Sequence, residues 1–139
     1  MLATLLLSVV LFTSVQTDPV VGQWISVDDA TGKEKSEITL YLEDDKLYGR
    51  IDALLLPEDQ GKRCVECKGN EKNQPIVGLV IVQGLEKEGD TWTDGTILDP
   101  ANGKRYSCNI SINPDGTLDV RGYLGFSLLG RTQVWKPKN

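Results

Sequence analysis

The sequence predicts an all-β fold, a single antiparallel β-barrel of about eight strands, and three observations carry that expectation. Past residue 18 the apolar side chains recur with period two far more often than with period 3.6. The alternating runs are joined by short turns rich in Gly, Asp and Asn, and no stretch of about ten residues makes an amphipathic helix. Many antiparallel strands must stack as two sheets or close on themselves, and closure leaves no exposed edge.

The elements follow in order. Residues 23–27 open the series behind Gly22. Over 36–43, Ile38, Leu40 and Leu42 share one face while Glu37, Thr39, Tyr41 and Glu43 share the other, as a half-buried strand requires. Asp44 and Asp45 interrupt, and 46–54 resumes with Leu47, Ile51 and Ala53 opposite Tyr48, Arg50 and Asp52, a hairpin partner. Residues 76–82 are apolar on both faces and rich in β-branched side chains, which predicts a strand covered on both sides, with a short buried helix as the competitor. Residues 92–99 run into the turn-forming Asp99-Pro100-Ala101-Asn102-Gly103. Over 104–113, Tyr106, Cys108, Ile110 and Ile112 face inward; Asn113-Pro114-Asp115-Gly116 then turns the chain into 117–123, and 131–135 closes the set.

Residues 1–17 are a separate object. They carry no charged side chain and contain an apolar run, 2–12, too short for a membrane anchor of about 20 residues but matching the h-region of a signal peptide. Export to the periplasm or the extracellular space is therefore expected, with one domain over 18–139 and no stable membrane anchor once the leader is removed. A chain of 139 residues has room for one core.

Composition excludes a good deal. With no His, the Ser/His/Asp and Cys/His nucleophilic machineries and His-ligated zinc are out of reach. A net charge of -5 with no cluster of Lys or Arg argues against nucleic acid as a partner. Asp28-Asp29 and the pair Asp94 and Asp99 sit in turn-rich sequence without EF-hand spacing, so local hydrogen bonding explains them. No cofactor and no metal is implied, and no catalytic constellation emerges. Asn109-Ile110-Ser111 is formally a glycosylation sequon, but it falls inside a strand.

Two resemblances attach to named residues. Gly22-Gln23-Trp24 with Arg131 on the last strand resembles the calycin arrangement of lipocalins, which implies a structural pair in which Arg131 covers Trp24 at one end of a barrel. A core Trp with no such cover competes with that reading. A longer series looks like the bacterial exported family catalogued as domain of unknown function 2147. It comprises Asp18-Pro19-Val20-Val21-Gly22-x-Trp24, Asp28-Asp29-x-Thr31-Gly32-Lys33, Cys64-x2-Cys67, Ile97-Leu98-Asp99-Pro100, Asn102-Gly103-Lys104-x-Tyr106-x-Cys108, Val120-Arg121-Gly122-Tyr123 and Gly130-Arg131-Thr132-Gln133-x-Trp135. That resemblance implies a small envelope or secreted protein of Gram-negative bacteria and supplies no catalytic or binding residue.

Three cysteines remain. A disulfide is the leading reading in an oxidising compartment, and two pairings compete: Cys64 with Cys67 within the 58–73 loop, or either of them with Cys108. Reduced and metal-bound forms are further alternatives. Thioredoxin-like exchange would need a helix N-terminus and a βαβ context, which the strand-rich sequence does not offer.

The segment 122–130 carries five large apolar side chains between two strands, suited to capping a barrel end or lining an opening. Together with the first-strand Trp it nominates Trp24, Tyr106, Tyr123 and Phe126 as ligand-binding residues. The expected function is a non-catalytic binding protein whose partner is a small apolar or amphipathic molecule. The alternative is an envelope structural or protein-interaction factor with a filled barrel that works through the 64–73 loop. Neither reading names a protein partner.

Overall fold

A computed structural model describes residues 3–12, 17–124 and 130–139. Eight antiparallel strands form a closed barrel in sequence order: β1 (Gly22–Val27), β2 (Glu34–Glu43), β3 (Lys46–Leu54), β4 (Val80–Glu88), β5 (Thr91–Asp99), β6 (Lys104–Ile112), β7 (Leu118–Tyr123) and β8 (Gly130–Pro137), with β8 returning to β1. The alternation read from the sequence sets which side chains turn inward. Ile38 and Leu40 of β2, Leu47 and Ile51 of β3, Cys108 and Ile110 of β6, and Leu118 and Val120 of β7 are all buried, and the residues between them reach the surface or its margin. Trp24, Trp92 and Trp135 join them in one contiguous core. Leu42, on the inward face at the end of β2, is 45% exposed because the barrel ends there.

The two ends of the barrel differ. At one, the three tight turns after β2, β4 and β6 surround a short plug formed by residues 18–21, which drives Val20 into the core at 2% exposure. The plug is an Asp-Pro turn: the Val20 N–H donates to Asp18 Oδ1 at 3.1 Å and the Val21 N–H to the Asp18 carbonyl at 3.0 Å. Pro19 suits such a turn because its φ is preset.

At the other end lie the β1–β2 loop, the β5–β6 turn, the β7–β8 connection and the long excursion over residues 55–79. The excursion contains 3-10 turns at Pro57–Asp59 and Gly69–Glu71. It lies on the outside of the wall. Ile81 and Leu98 point away from the barrel interior yet are only 5% and 3% exposed, and Cys64, Cys67, Ile76 and Leu79 complete the buried cluster beside them.

The boundary expected at 76–82 is corrected here, since β4 begins at Val80. Ile76 and Leu79 are apolar because they anchor the excursion to the wall, and Gly78, at φ +100°, turns the chain between them while its N–H donates to the Ile51 carbonyl at 2.8 Å. One apolar run thus joins a loop anchor to a strand start. Residues 3–12 form no helix or strand, and their Leu5, Leu6 and Phe12 side chains are exposed and take no part in the core.

Candidate ligand site

The plugged end is sealed by polar as well as apolar contacts. Trp24 Nε1 donates to the Val20 carbonyl at 2.9 Å, and Lys87 Nζ donates to Asp18 Oδ2 at 2.7 Å. Burial alone would raise the Asp18 carboxyl. Hydrogen bonds from Lys87 and the Val20 N–H, the Lys87 charge and a hydrogen bond from the Trp92 side chain outweigh it and hold the group below its ordinary 3.8. A solvent-open hollow of about 420 Å³ lies outside this seal, between Pro19, Leu42, Asp45 and Lys87. Trp24, Tyr106 and Tyr123 do not line it.

At the opposite end the described residues leave part of the rim in contact with solvent. Strand register follows the inward face there: Trp135 stands opposite Leu118, Gln133 opposite Val120 and Arg131 opposite Gly122. Trp135 and Leu118 are buried, but Gln133 is half-buried and the Arg131 side chain is 67% exposed. On β6, Tyr106 shares the face of Cys108 and Ile110. Its Cβ, with the Ile97 side chain, lies where a Cβ on Gly122 would make ordinary contact, at 3.6 and 3.5 Å. Below them sits a buried hydroxyl pair, Ser26 Oγ and Ser36 Oγ at 2.5 Å. The end is thus lined by Ile97, Tyr106, Gly122, Gln133 and the two serines, an apolar wall interrupted by a few convergent polar groups.

The wall itself is split at this end. Among the described residues β1 pairs with β8 at Trp24, Ile25 and Ser26 alone, and the register of β1 against β2 shifts between Ser26 and Val27. Among the described residues, β8 from Gly130 to Val134 has a partner strand on its β7 side only. The gap is bridged by Arg131 Nε and Asp29 Oδ2 at 3.2 Å.

The residues nominated from sequence scatter over this architecture. Tyr106 faces the open end. Trp24 belongs to the plugged end, and Tyr123, opposite Ser107, lies on the outer face, where its hydroxyl donates to Asn109 Oδ1 at 3.4 Å. Phe126 lies outside the described residues, as do residues 125–129 of the expected cap. The Arg131 cover over Trp24 is corrected. Trp24 stands opposite Pro137, six residues along β8 from Arg131, a separation of about 20 Å at strand rise. The guanidinium therefore reaches Asp29 instead, and the Trp24 indole is held by the Val20 carbonyl. Ser26, Ser36 and Gln133 were missed because an inward polar residue reads, in sequence, as a break in alternation.

Cys64 and Cys67 form the disulfide, and Cys108 is a buried free thiol that burial pushes up to about 12. The long pairing to Cys108 is thereby ruled out. Cys64 and Cys67 face the wall rather than solvent, with Cys64 Sγ 3.5 Å from the Pro100 carbonyl oxygen. Glu71 accepts from Arg105 Nη2 at 2.6 and 2.5 Å and ties the excursion to β6. Asp28 and Asp99 accept backbone N–H groups of their own turns.

A solved structure shares this architecture: protein HP1028 from the human pathogen Helicobacter pylori, described as belonging to the lipocalin family, is similar with a TM-score of 0.75 at 19% sequence identity over 88% of this chain and 85% of that one. At that identity the likeness establishes a lipocalin-like barrel and nothing finer. No curated protein matches the chain. Residues 22–137, from the first residue of β1 to the last of β8, match the family model "Uncharacterized protein conserved in bacteria (DUF2147)". The chain is therefore a member of that bacterial family.

Proposed function

We propose that this protein is an exported, non-catalytic carrier that takes up a small apolar or amphipathic molecule at the open end of its barrel. The observation that carries the reading is the difference between the ends. One is closed by Val20 and a hydrogen-bonded plug, while at the other the inward-register residues Gln133 and Arg131 stay in contact with solvent. Eight-stranded barrels are just wide enough to hold one small ligand when their own side chains do not fill them. The lower half of this barrel is filled by Trp24, Trp135, Leu40, Leu47, Leu85 and Leu118, while the inward positions toward the other end carry the smaller or more polar Ser26, Ser36, Gly122 and Gln133. Export is supported by the disulfide, by the bacterial family and by an apolar leader segment that takes no part in the core.

Native mass spectrometry of protein recovered from its own envelope fraction tests this directly. A reproducible extra mass, lost on denaturation, is the expected result. A bare protein that also fails to bind a fluorescent apolar probe would overturn it, and recovery from the cytoplasmic fraction alone would overturn export.

One observation favours a second reading, a protein-interaction factor working through the 64–73 loop. Val65 is 60% exposed and Val77 is 47% exposed on an excursion that is otherwise pinned to the wall. Replacing Cys64 and Cys67 by Ser should then abolish capture of a partner, whereas a carrier should keep its ligand.

A further inference from the structure

We infer that the split between β1 and β8 seats the polar head of an amphipathic ligand, and that Arg131 reads that head as an anion, a carboxylate in particular. The inference rests on the carrier reading above and adds to it the ligand's head chemistry, its position and the residue that recognises it.

Three observations meet at this point. Among the described residues the wall is split here, because the pairing of β1 with β8 stops at Ser26 and β8 continues to Gly130 beside β7 alone. Arg131 occupies an inward register position, opposite Gly122, so its side chain stands at the lip of the opening. Its guanidinium is paired with Asp29, Nε lying 3.2 Å from Oδ2, and the side chain is 67% exposed, which keeps the two-nitrogen fork in reach of a ligand from solvent. Such a fork matches a carboxylate bidentately, a geometry that Lys cannot reproduce.

The groups beneath are graded to suit the rest of such a molecule. Gln133 lies two residues further along the same face, and the buried Ser26–Ser36 hydroxyl pair lies below it. The core then turns apolar at Val120, Ile51 and Val82. Charge, then neutral polar groups, then hydrocarbon is the order in which an anionic amphiphile would meet the wall on entering. Asp29 does not prevent it. The Asp29 side chain is 39% exposed, and ion pairs this accessible to water exchange partners at little cost.

The test compares cis-parinaric acid, a fluorescent long-chain carboxylate, with its methyl ester, on the full chain and on Arg131→Gln. The parent protein should prefer the acid by about tenfold, the scale of one charge-assisted bidentate contact. Arg131→Gln should lower acid affinity to that of the ester and leave ester binding unchanged, which also shows that the variant is folded. Equal binding of acid and ester by the parent, or a preference that survives Arg131→Gln, would overturn the anion reading and leave the carrier reading standing. Loss of both probes in Arg131→Gln would assign Arg131 to the fold and overturn its role as a reader. Failure of the parent to bind either probe would overturn both readings.

Discussion

Trp24 and Val20 hold each other in place: the indole Nε1 donates to the Val20 carbonyl at 2.9 Å while the Val20 side chain enters the core at 2% exposure. A four-residue turn thereby becomes the floor of the barrel, and the first strand begins at a fixed angle to it. Replacing Trp24 by Phe should cost about 1–3 kcal/mol, since it leaves a buried carbonyl without its donor and removes ring volume from a packed core. Urea unfolding measures this as a lower midpoint with an unchanged slope. A midpoint equal to that of the parent would show that the plug does not need the hydrogen bond.

The same plug makes stability depend on acid. Asp18 is held below 3.8 in the folded protein through Lys87, Val20 and Trp92, against the opposing effect of burial. A depressed folded-state pKa contributes stability that is present above the unfolded value and is lost as pH falls through the folded one. Asp18→Asn should therefore be less stable than the parent at neutral pH, and the difference should close as pH drops below 3.8. Unfolding midpoints for both proteins across that range check the sign. A difference that is constant with pH would mean that packing, not charge, explains the loss.

Gly103 has φ +71°, and a Cβ there would run into the Glu66 carbonyl of the disulfide excursion. The position therefore demands glycine twice, for its backbone and for the close approach. Gly103→Ala should destabilise by at least about 2 kcal/mol and should loosen residues 62–68 more than the strands. Hydrogen exchange resolves the two effects. Uniform loss of protection over the barrel, with the excursion unaffected, would contradict this account.

Much of this arrangement was legible in the sequence, and what was not has a common cause. Lys46 to Leu54 reads as a strand from its alternation alone because one face of it is buried and the other is not. The turn at Asn113-Pro114-Asp115-Gly116 reads equally well, for its residues serve that geometry and no other need. The local Cys64–Cys67 pair was legible as one of two options. The site was less so. Arg131 fits equally well over Trp24 or beside Asp29 until the register of β8 on β1 is known, and that register depends on long-range pairing. Ile76 looks like strand because an anchor to an outer wall needs the same apolar side chain as a core position.

Cys108 offers a different handle on the core. Burial raises its thiol from 9.0 to about 12, so at neutral pH it stays protonated and unreactive in the folded barrel. Intact mass after alkylation without reductant should show no label on native protein and a single label in urea. A folded-state pKa above the unfolded one contributes stability that is intact below 9.0 and lost progressively as pH rises toward 12. Alkaline unfolding should accordingly be steeper in the parent than in Cys108→Ala. Rapid labelling of the native protein would place the thiol in contact with solvent and contradict its burial.

The disulfide is best tested by removing it. Cys64 and Cys67 are three residues apart, so their bond closes a small ring and withdraws little entropy from the unfolded chain, about 2 kcal/mol on the loop-closure relation. The excursion has other anchors, namely the Arg105–Glu71 ion pair and the buried Ile76 and Leu79. Substituting both cysteines by Ala should therefore leave the barrel folded and lower its unfolding free energy by about that amount. Increased exchange should be confined to residues near 62–68. Because the bond lies against the outer wall beside the β5–β6 turn, and not at the β1–β8 split, binding of an amphipathic probe should be unchanged. Loss of probe binding with the barrel still folded would show that the excursion reaches the ligand, and would move the working surface from the β1–β8 split to the disulfide loop.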